Sequence, residues 1–353
     1  MQIINAILQS TQQIMVNMIK KISESLINSL IAVLFIVSIL AFASHIHRFI
    51  EMISGLRILY LWLSVIFLIL TLSLVFLKKA KKHRLKLLNT LPILLVSCSF
   101  IINLIEVLPY YISPPEQDHS IPRKNIKLML LNVHHQNQQF RDVVNLVRKE
   151  QPDLALFLEA TGRWPQELAF LSNEYQFHES IQQVQFEIYS KHSFKLENTI
   201  LYGTYRGFVP LHLDLGKTAE VTLVALHTYP PRFFGKTGFD LRNDQITKGI
   251  PELTTKIEPP LIFLGDFNMD MWASPFKKMI ALSGLHDAKK GSGVLPSLWI
   301  DAKLPLHSIF GLPVDNCLVS GNITVNDAYS GRHVGSDHLP MFFVLGVPEY
   351  AKK

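Results

Sequence analysis

The spacing of apolar and polar positions changes character once along the chain. Residues 25–44, 58–77 and 87–105 form three uncharged runs of Leu, Ile, Val, Phe and Ala, the third extended by residues 106–112. Each run approaches the ~20 residues needed to cross about 30 Å of hydrocarbon, so the pattern predicts three membrane-spanning helices. Tyr60 and Trp62 near one end of the second run, and Tyr110 and Tyr111 after the third, suit interfacial anchoring. Residues before Lys20 read as an amphipathic helix lying on the membrane. From Ile126 onward the apolar runs become short and are punctuated by turns. Strands are predicted at 127–133, 154–158, 221–226, 261–264, 317–319 and 341–345. Phe140, Val143, Val144 and Val147 recur at helical spacing, and Gln151-Pro-Asp153 ends that helix. Residues 276–282 read as helical. The expected organisation is a three-helix membrane anchor over 1–112, a Pro-rich linker over 113–125 and a mixed α/β domain over 126–353. Fully extended, the linker reaches at most about 40–45 Å, which would keep the domain near the bilayer surface.

Composition sharpens this picture. The 353 residues are 48% apolar and 18% charged with a mean hydropathy of +0.23, which excludes a disordered or fibrous chain and argues against a wholly soluble one. The two cysteines, Cys98 and Cys317, are far apart, so there is no disulfide framework and no Cys-based zinc cluster. The net charge of +6 is uneven: residues 1–112 carry +7 and the remainder −1. Lys20 and Lys21 precede the first run, and Lys78, Lys79, Lys81, Lys82, Arg84 and Lys86 separate the second from the third. The first loop has only Arg48 and Arg57. The positive-inside rule then puts the N-terminus inside. The expectation is a multi-pass inner-membrane protein with its C-terminal domain on the periplasmic, extracytoplasmic side.

Candidate chemistry lies where apolar strands end. Asn132 ends the first strand, Glu159 follows the second and His227 the third. Asp266 and Asn268 follow the fourth, and Asp337-His338 stands just before the last. If the first two strands are parallel, the intervening helix returns Asn132 and Glu159 to one sheet edge, where ligand sites form in open α/β sheets. An antiparallel last strand would bring Asp337 and His338 to the same edge. Carboxylate and amide oxygens suit a hard divalent cation, and nearby histidines suit proton transfer or stabilisation of a phosphoryl group.

Gly265-Asp-Phe-Asn268 and Ser336-Asp-His338, in that order, resemble the endonuclease/exonuclease/phosphatase superfamily. Asn132-Val133, Leu158-Glu159, and Leu226-His-Thr228 followed by Arg242 and Gln245 agree with it. Tyr189-Ser-Lys-His-Ser193 looks like the family's Ser-basic-x-Pro turn, with Ser193 replacing Pro. Apolar N-terminal runs joined to this domain look like the family's bacterial membrane-anchored branch. The resemblance implies a four-layer α/β (α+β) sandwich, two packed β-sheets flanked by helices, preceded here by the three transmembrane helices. It implies Asn132, Glu159 and Asp337 as metal ligands, with Mg2+ or alternatively Mn2+ as the cofactor. It implies catalytic roles for His227, Asp266, Asn268, Asp315 and His338, with Asp315 orienting His338. His134 and Arg232 are candidate substrate contacts. Where many membrane-branch relatives read Asp-His, this chain has Asp315-Asn316, so any contact made by that His is in question.

The activity implied is metal-dependent hydrolysis of a phosphate ester near the membrane, with a lipid phosphate or a polyprenyl pyrophosphate as substrate. The alternative is a membrane-tethered nuclease acting on DNA or RNA, although the near-neutral domain lacks the overall basic charge that holds a phosphate backbone. A non-enzymatic membrane scaffold is a third reading, disfavoured because the motif residues are all present. No obligate protein partner is expected.

Overall fold

The computed structural model describes residues 2–80, 90–112, 121–216, 218–298 and 311–350. The predicted basic residues at 81–86 and most of the predicted linker lie outside them. The chain divides into two units, Met1–Ala41 with Arg57–Glu106, and Phe42–Leu56 with Val107–Lys353.

The first unit consists of α1 (Gln2–Leu40) and, beyond the short α2 (Arg48–Ser54) that belongs to the second unit, α3 (Arg57–Ala80) and α4 (Leu91–Val107). Gln9–Ala43, Arg57–Phe76 and Leu91–Tyr110 are long and apolar enough to cross a membrane. The segment before Lys20 is continuous with the first apolar run in α1. It contains no Gly or Pro to break the helix there. Buried polar groups inside this unit pair with one another: Arg57 donates to Asn103 Oδ1 at 3.2 Å, and Asn103 Nδ2 donates to Ser38 Oγ at 2.9 Å.

In the second unit, β1 (Arg123–Asn132), α5 (Phe140–Glu150), β2 (Leu154–Leu158) and the short α6 (Trp164–Leu168) come first. The strands β3 (Phe177–Ile181), β4 (Phe186–Ser190), β5 (Phe194–Leu196), β6 (Ile200–Tyr202), β7 (Arg206–Asp214) and β8 (Glu220–His227) follow. Helices α7 (Pro231–Asp244) and α8 (Ile250–Lys256), strand β9 (Leu261–Asp266) and helix α9 (Ser274–Ser283) precede β10 (His286–Asp287), β11 (Asp315–Val319), β12 (Thr324–Ser330) and β13 (Met341–Pro348). One sheet has the order β12-β13-β1-β2-β4-β3 and the other β10-β11-β9-β8-β7-β5, with β6 pairing β7. Strand β1 thus starts at Arg123, a few residues before the predicted strand, because Arg123 pairs with Pro348 of β13.

Alternation within strands builds the layers. Leu128 and Leu130 of β1 and Leu154, Leu156 and Leu158 of β2 point into a core shared with Val209 and Leu211, Leu223 and Ala225, and Ile262 and Leu264 of the other sheet. The opposite parity, Met129 and Leu131 with Ala155 and Phe157, packs under α5 through Val143, Val144, Leu146 and Val147. Strands covered on both faces read as continuous apolar runs. On the far side of the second sheet, Gly249, between α7 and α8, lies against Phe208 and Tyr202, where a Cβ would come within 2.8 Å and 2.4 Å of those rings' atoms. Two sheets with helices outside are the four-layer arrangement expected.

Candidate active site

The registers explain why distant residues meet. β1 and β2 are parallel with Asn132 opposite Leu158, so Asn132 and Glu159 emerge at one edge. β8 and β9 are parallel with His227 opposite Asp266, and antiparallel β11 sets Asp315 opposite Asp266. β13 runs antiparallel to β1 with Met341 opposite Leu130, so Ser336-Asp-His338 arrives at the Asn132 end. Ser336 Oγ donates to Asn132 O at 2.6 Å and fixes that approach. The two sheets join at Asn132, whose Nδ2 lies 3.3 Å from Glu159 Oε1 and 3.3 Å from Asp266 Oδ2.

Local backbone turns aim these side chains. Glu159, Asn268 and His134 adopt left-handed conformations, with φ of 56°, 47° and 57°. Such non-glycine positions cost about 1–3 kcal/mol each and tend to cluster at functional sites. Gly265 is required for packing: a Cβ there would lie 1.8 Å from the Leu226 carbonyl oxygen on β8. The Asp266 carboxylate accepts the Asn268 amide at 2.8 Å, and Asn268 Nδ2 donates to Thr228 O at 3.0 Å. These two bonds close the Gly265–Asn268 turn against the end of β8.

Charge is arranged unequally among the imidazoles. His338 Nδ1 and Asp315 Oδ2 are 2.7 Å apart, both side chains buried. Burial alone would depress His338, but Asp315 and then Asp266 outweigh it and push the imidazole up to about 10. His338 is therefore a charged donor at neutral pH. His227 Nε2 is 3.4 Å from Asp266 Oδ2, yet burial and Arg206 hold its imidazole below the ordinary value. Burial opposes ionisation of Asp266, but His227 and His338 prevail and bring it to about 2. Burial likewise raises Glu159, while His227, Arg206 and Asn132 bring it below the ordinary value. Both carboxylates are ionised at neutral pH.

The Glu159 carboxylate meets Asn132 and Arg206 at 3.3 Å and His135 at 3.5 Å. Charge-assisted bonds usually close to about 2.7–2.9 Å. The group is thus oriented by its neighbours without being tightly engaged, and with Asn132 and Asp266 beside it the donor set is all oxygen. That chemistry fits a hard divalent cation. Asp266, Asp315 and His338 bring their donor atoms within 4.8 Å of one another. The short Asp315–His338 bond occupies the imidazole Nδ1, so this cluster reads better as an oriented cation beside Asp266 than as a metal cage.

Asp337 is placed differently from Glu159. Its carboxylate is 46% exposed and lies 3.0 Å from His134 Nδ1. His134 in turn stands beside His135, which reaches Glu159. His134 therefore contacts an acidic rim residue. Arg232 lies in α7, and its side chain is outside the described residues. Asn316 is buried and donates to Val314 O at 2.8 Å, so it braces its own strand. Ser190 Oγ accepts the His192 amide at 3.0 Å in the turn after β4.

Arg206 escaped the sequence reading. It opens β7 beside Gly207, which pairs with His227, and it donates to Glu159 at 3.3 Å and to Gln185 at 3.4 Å. Gly207 and Pro210 obscure β7 as a strand; an Arg at the start of an apolar segment was the available signal. Trp164 and Trp272 are buried.

The family model for the Endonuclease/Exonuclease/phosphatase family matches residues 129–338. An endonuclease/exonuclease/phosphatase structure from Beutenbergia cavernae DSM 12333 aligns with 15% identity and a TM-score of 0.53, covering 64% of this chain and 72% of that one. One from Bacteroides vulgatus aligns with 15% identity and a TM-score of 0.52, covering 64% of this chain and 99% of that one. At such identities the likeness speaks for the fold. No curated protein matches the sequence. With the match spanning more than half of its length and the two-sheet fold agreeing, the chain belongs to the endonuclease/exonuclease/phosphatase family.

Proposed function

We propose that this protein is a membrane-anchored, divalent-metal-dependent phosphoesterase acting on a phosphate ester close to the bilayer, with lipid-linked phosphates as its substrate class. The observation that carries this reading is the meeting of Asn132, Glu159, His227 and Asp266 within 3.3–3.8 Å contacts at the open ends of two sheets, with the His338–Asp315 pair alongside. Three helices long enough to span a membrane favour a substrate held near the lipid surface. The charge bias of the segments flanking them favours an extracytoplasmic domain in the inner membrane.

Glu159 and Asn132 would hold the cation, Mg2+ or Mn2+, with Asp337 entering from the rim. A bound divalent cation supplies positive charge to the phosphoryl oxygens and acidifies water. Around it, ionised Asp266 accepts a hydrogen bond from the attacking water and aims it at phosphorus. Charged His338, held by Asp315, donates from Nε2 to a non-bridging phosphoryl oxygen. Neutral His227 and Asn268 complete the polar wall, and Arg206 is the second cation facing the phosphate. Preorganised donors of this kind supply much of the rate in phosphoryl transfer.

The test is phosphate release from a panel of lipid phosphates and a polyprenyl pyrophosphate, and strand cleavage of plasmid DNA and RNA read on gels, with Mg2+ and with EDTA. Metal-dependent release from the lipid members is the expected result. Cleavage confined to DNA or RNA would replace the lipid assignment with a nuclease, and no cleavage of any member would overturn the enzymatic reading.

A further inference from the structure

The segment Phe42–Leu56, between the first and second apolar helices in sequence, folds with the phosphoesterase-like domain. Its helix α2 is inverted with respect to the usual rule. Glu51 and Ser54 are buried, whereas Phe49 and Met52 are 59% and 51% exposed. The buried side is occupied by specific polar bonds. Arg242 Nη1 and Nη2 donate to Glu51 Oε1 and Oε2 at 2.5 Å and 2.6 Å, a two-pronged pair. The same Nη1 donates to the carbonyl oxygen of Asn268 at 2.7 Å. Two residues on, Asp270 Oδ2 accepts from Ser54 Oγ at 2.7 Å. At the far end of the same loop, the Ser274 amide donates to Ser44 Oγ at 2.6 Å. The segment thus grips the Asn268–Ser274 loop at three points.

A buried pair of this kind is an inefficient way to stabilise a fold, because desolvation offsets most of its attraction; burial pushes the Glu51 carboxyl up to about 7 in spite of Arg242. The distinctive product of such a pair is orientation, and a guanidinium fork fixes planes as well as distance. Here the fork joins Glu51 to the backbone of Asn268, a residue held at φ 47° with its amide on Asp266. Without Glu51, Arg242 would have an unmatched charge and freedom to leave the Asn268 carbonyl. The left-handed turn would lose one of its restraints.

We propose that Glu51 is a positioning residue for this site, acting through Arg242 on the Asp266–Asn268 turn, so that the loop between the first two apolar helices is part of the catalytic unit. The proposal rests on the phosphoesterase reading above. It also implies that a fragment cut at the linker would lack a working part.

The test uses the full chain in detergent micelles with Mg2+ and with p-nitrophenyl phosphate and bis(p-nitrophenyl) phosphate as monoester and diester probes, comparing wild type, Glu51→Gln, Arg242→Lys and His338→Ala. Glu51→Gln is expected to lower kcat about 10- to 100-fold, the scale of a small misplacement of a reacting group, with KM changed less than about threefold. Hydrogen exchange of the 267–269 amides should quicken while β1 amides stay protected. Should Glu51→Gln fail to fold, Arg242→Lys, which keeps the charge and loses the fork, is read by the same two measurements. Wild-type kcat with unchanged exchange at 267–269 would overturn the proposal, as would a loss accompanied by equal loosening of β1 and β9. Probe hydrolysis that is absent, or that His338→Ala leaves intact, would instead overturn the phosphoesterase reading, and the exchange measurement would still decide the Glu51 link.

Discussion

Replacing Asp315 by Asn keeps the size of the side chain and an acceptor for His338 Nδ1 but removes one charge from a contact of 2.7 Å between two buried groups. At an effective dielectric near 20, unit charges that close attract by about 6 kcal/mol before desolvation is counted. Removing one member of such a pair typically costs about 3–5 kcal/mol, and the retained hydrogen bond returns about 1 kcal/mol. A loss near 3 kcal/mol in the transition state corresponds to roughly a hundredfold in rate. The pH profile gives an independent check. With His338 pushed up to about 10, its stabilising charge is fully present below its ordinary value near 6.5 and is lost as the pH rises through about 10. In Asp315→Asn the imidazole returns toward its ordinary value, so activity should fall as the pH passes neutrality, where wild type is flat. The assay is kcat for a phosphodiester probe from pH 6 to 9, with thermal melting at each pH. A folded Asp315→Asn protein within threefold of wild type at pH 8, with an unchanged profile, would refute the charged-His338 mechanism.

Further outcomes follow from the same geometry. Glu159→Gln removes the carboxylate from the oxygen donor set and should weaken Mg2+ binding at least tenfold by calorimetry while the melting temperature stays within a few degrees. EDTA should abolish activity, with Mg2+ or Mn2+ restoring it; activity surviving exhaustive chelation contradicts the donor-set argument. Arg206→Lys keeps a positive charge but cannot keep both the Glu159 and Gln185 contacts, and should lower kcat/KM about 10-fold. Leu156→Ala, in the core between the sheets, should cost about 2–5 kcal/mol in denaturant unfolding of the domain. A reporter fused after Lys353 should register an extracytoplasmic location; a cytoplasmic signal would reverse the charge-based orientation.

Elements whose pattern is local were legible in the chain alone. Three uncharged runs predicted three long apolar helices, since hydrocarbon thickness sets a length that composition either meets or does not. Apolar runs at 154–158 and 261–264, each followed by a polar residue, marked buried strands with Glu159 and Asp266 at their ends. The motifs around Asn268 and His338 carried the family resemblance for the same local reason. Strands β3 to β7 were less legible. β3 is largely exposed and β7 contains Gly207 and Pro210, so neither displays the apolar alternation that burial on one face imposes. That Arg206 faces Glu159 is a fact of three dimensions alone, because β7 and β2 belong to different sheets and their ends meet only where the two sheets pack together. The tertiary structure alone set His338 as charged and His227 as neutral, since those states depend on which carboxylates and cations lie within a few ångströms. It alone joined Glu51 to Arg242 across 191 positions. No pattern in the sequence marks such a pair, because the two residues meet only once α2 packs against α7.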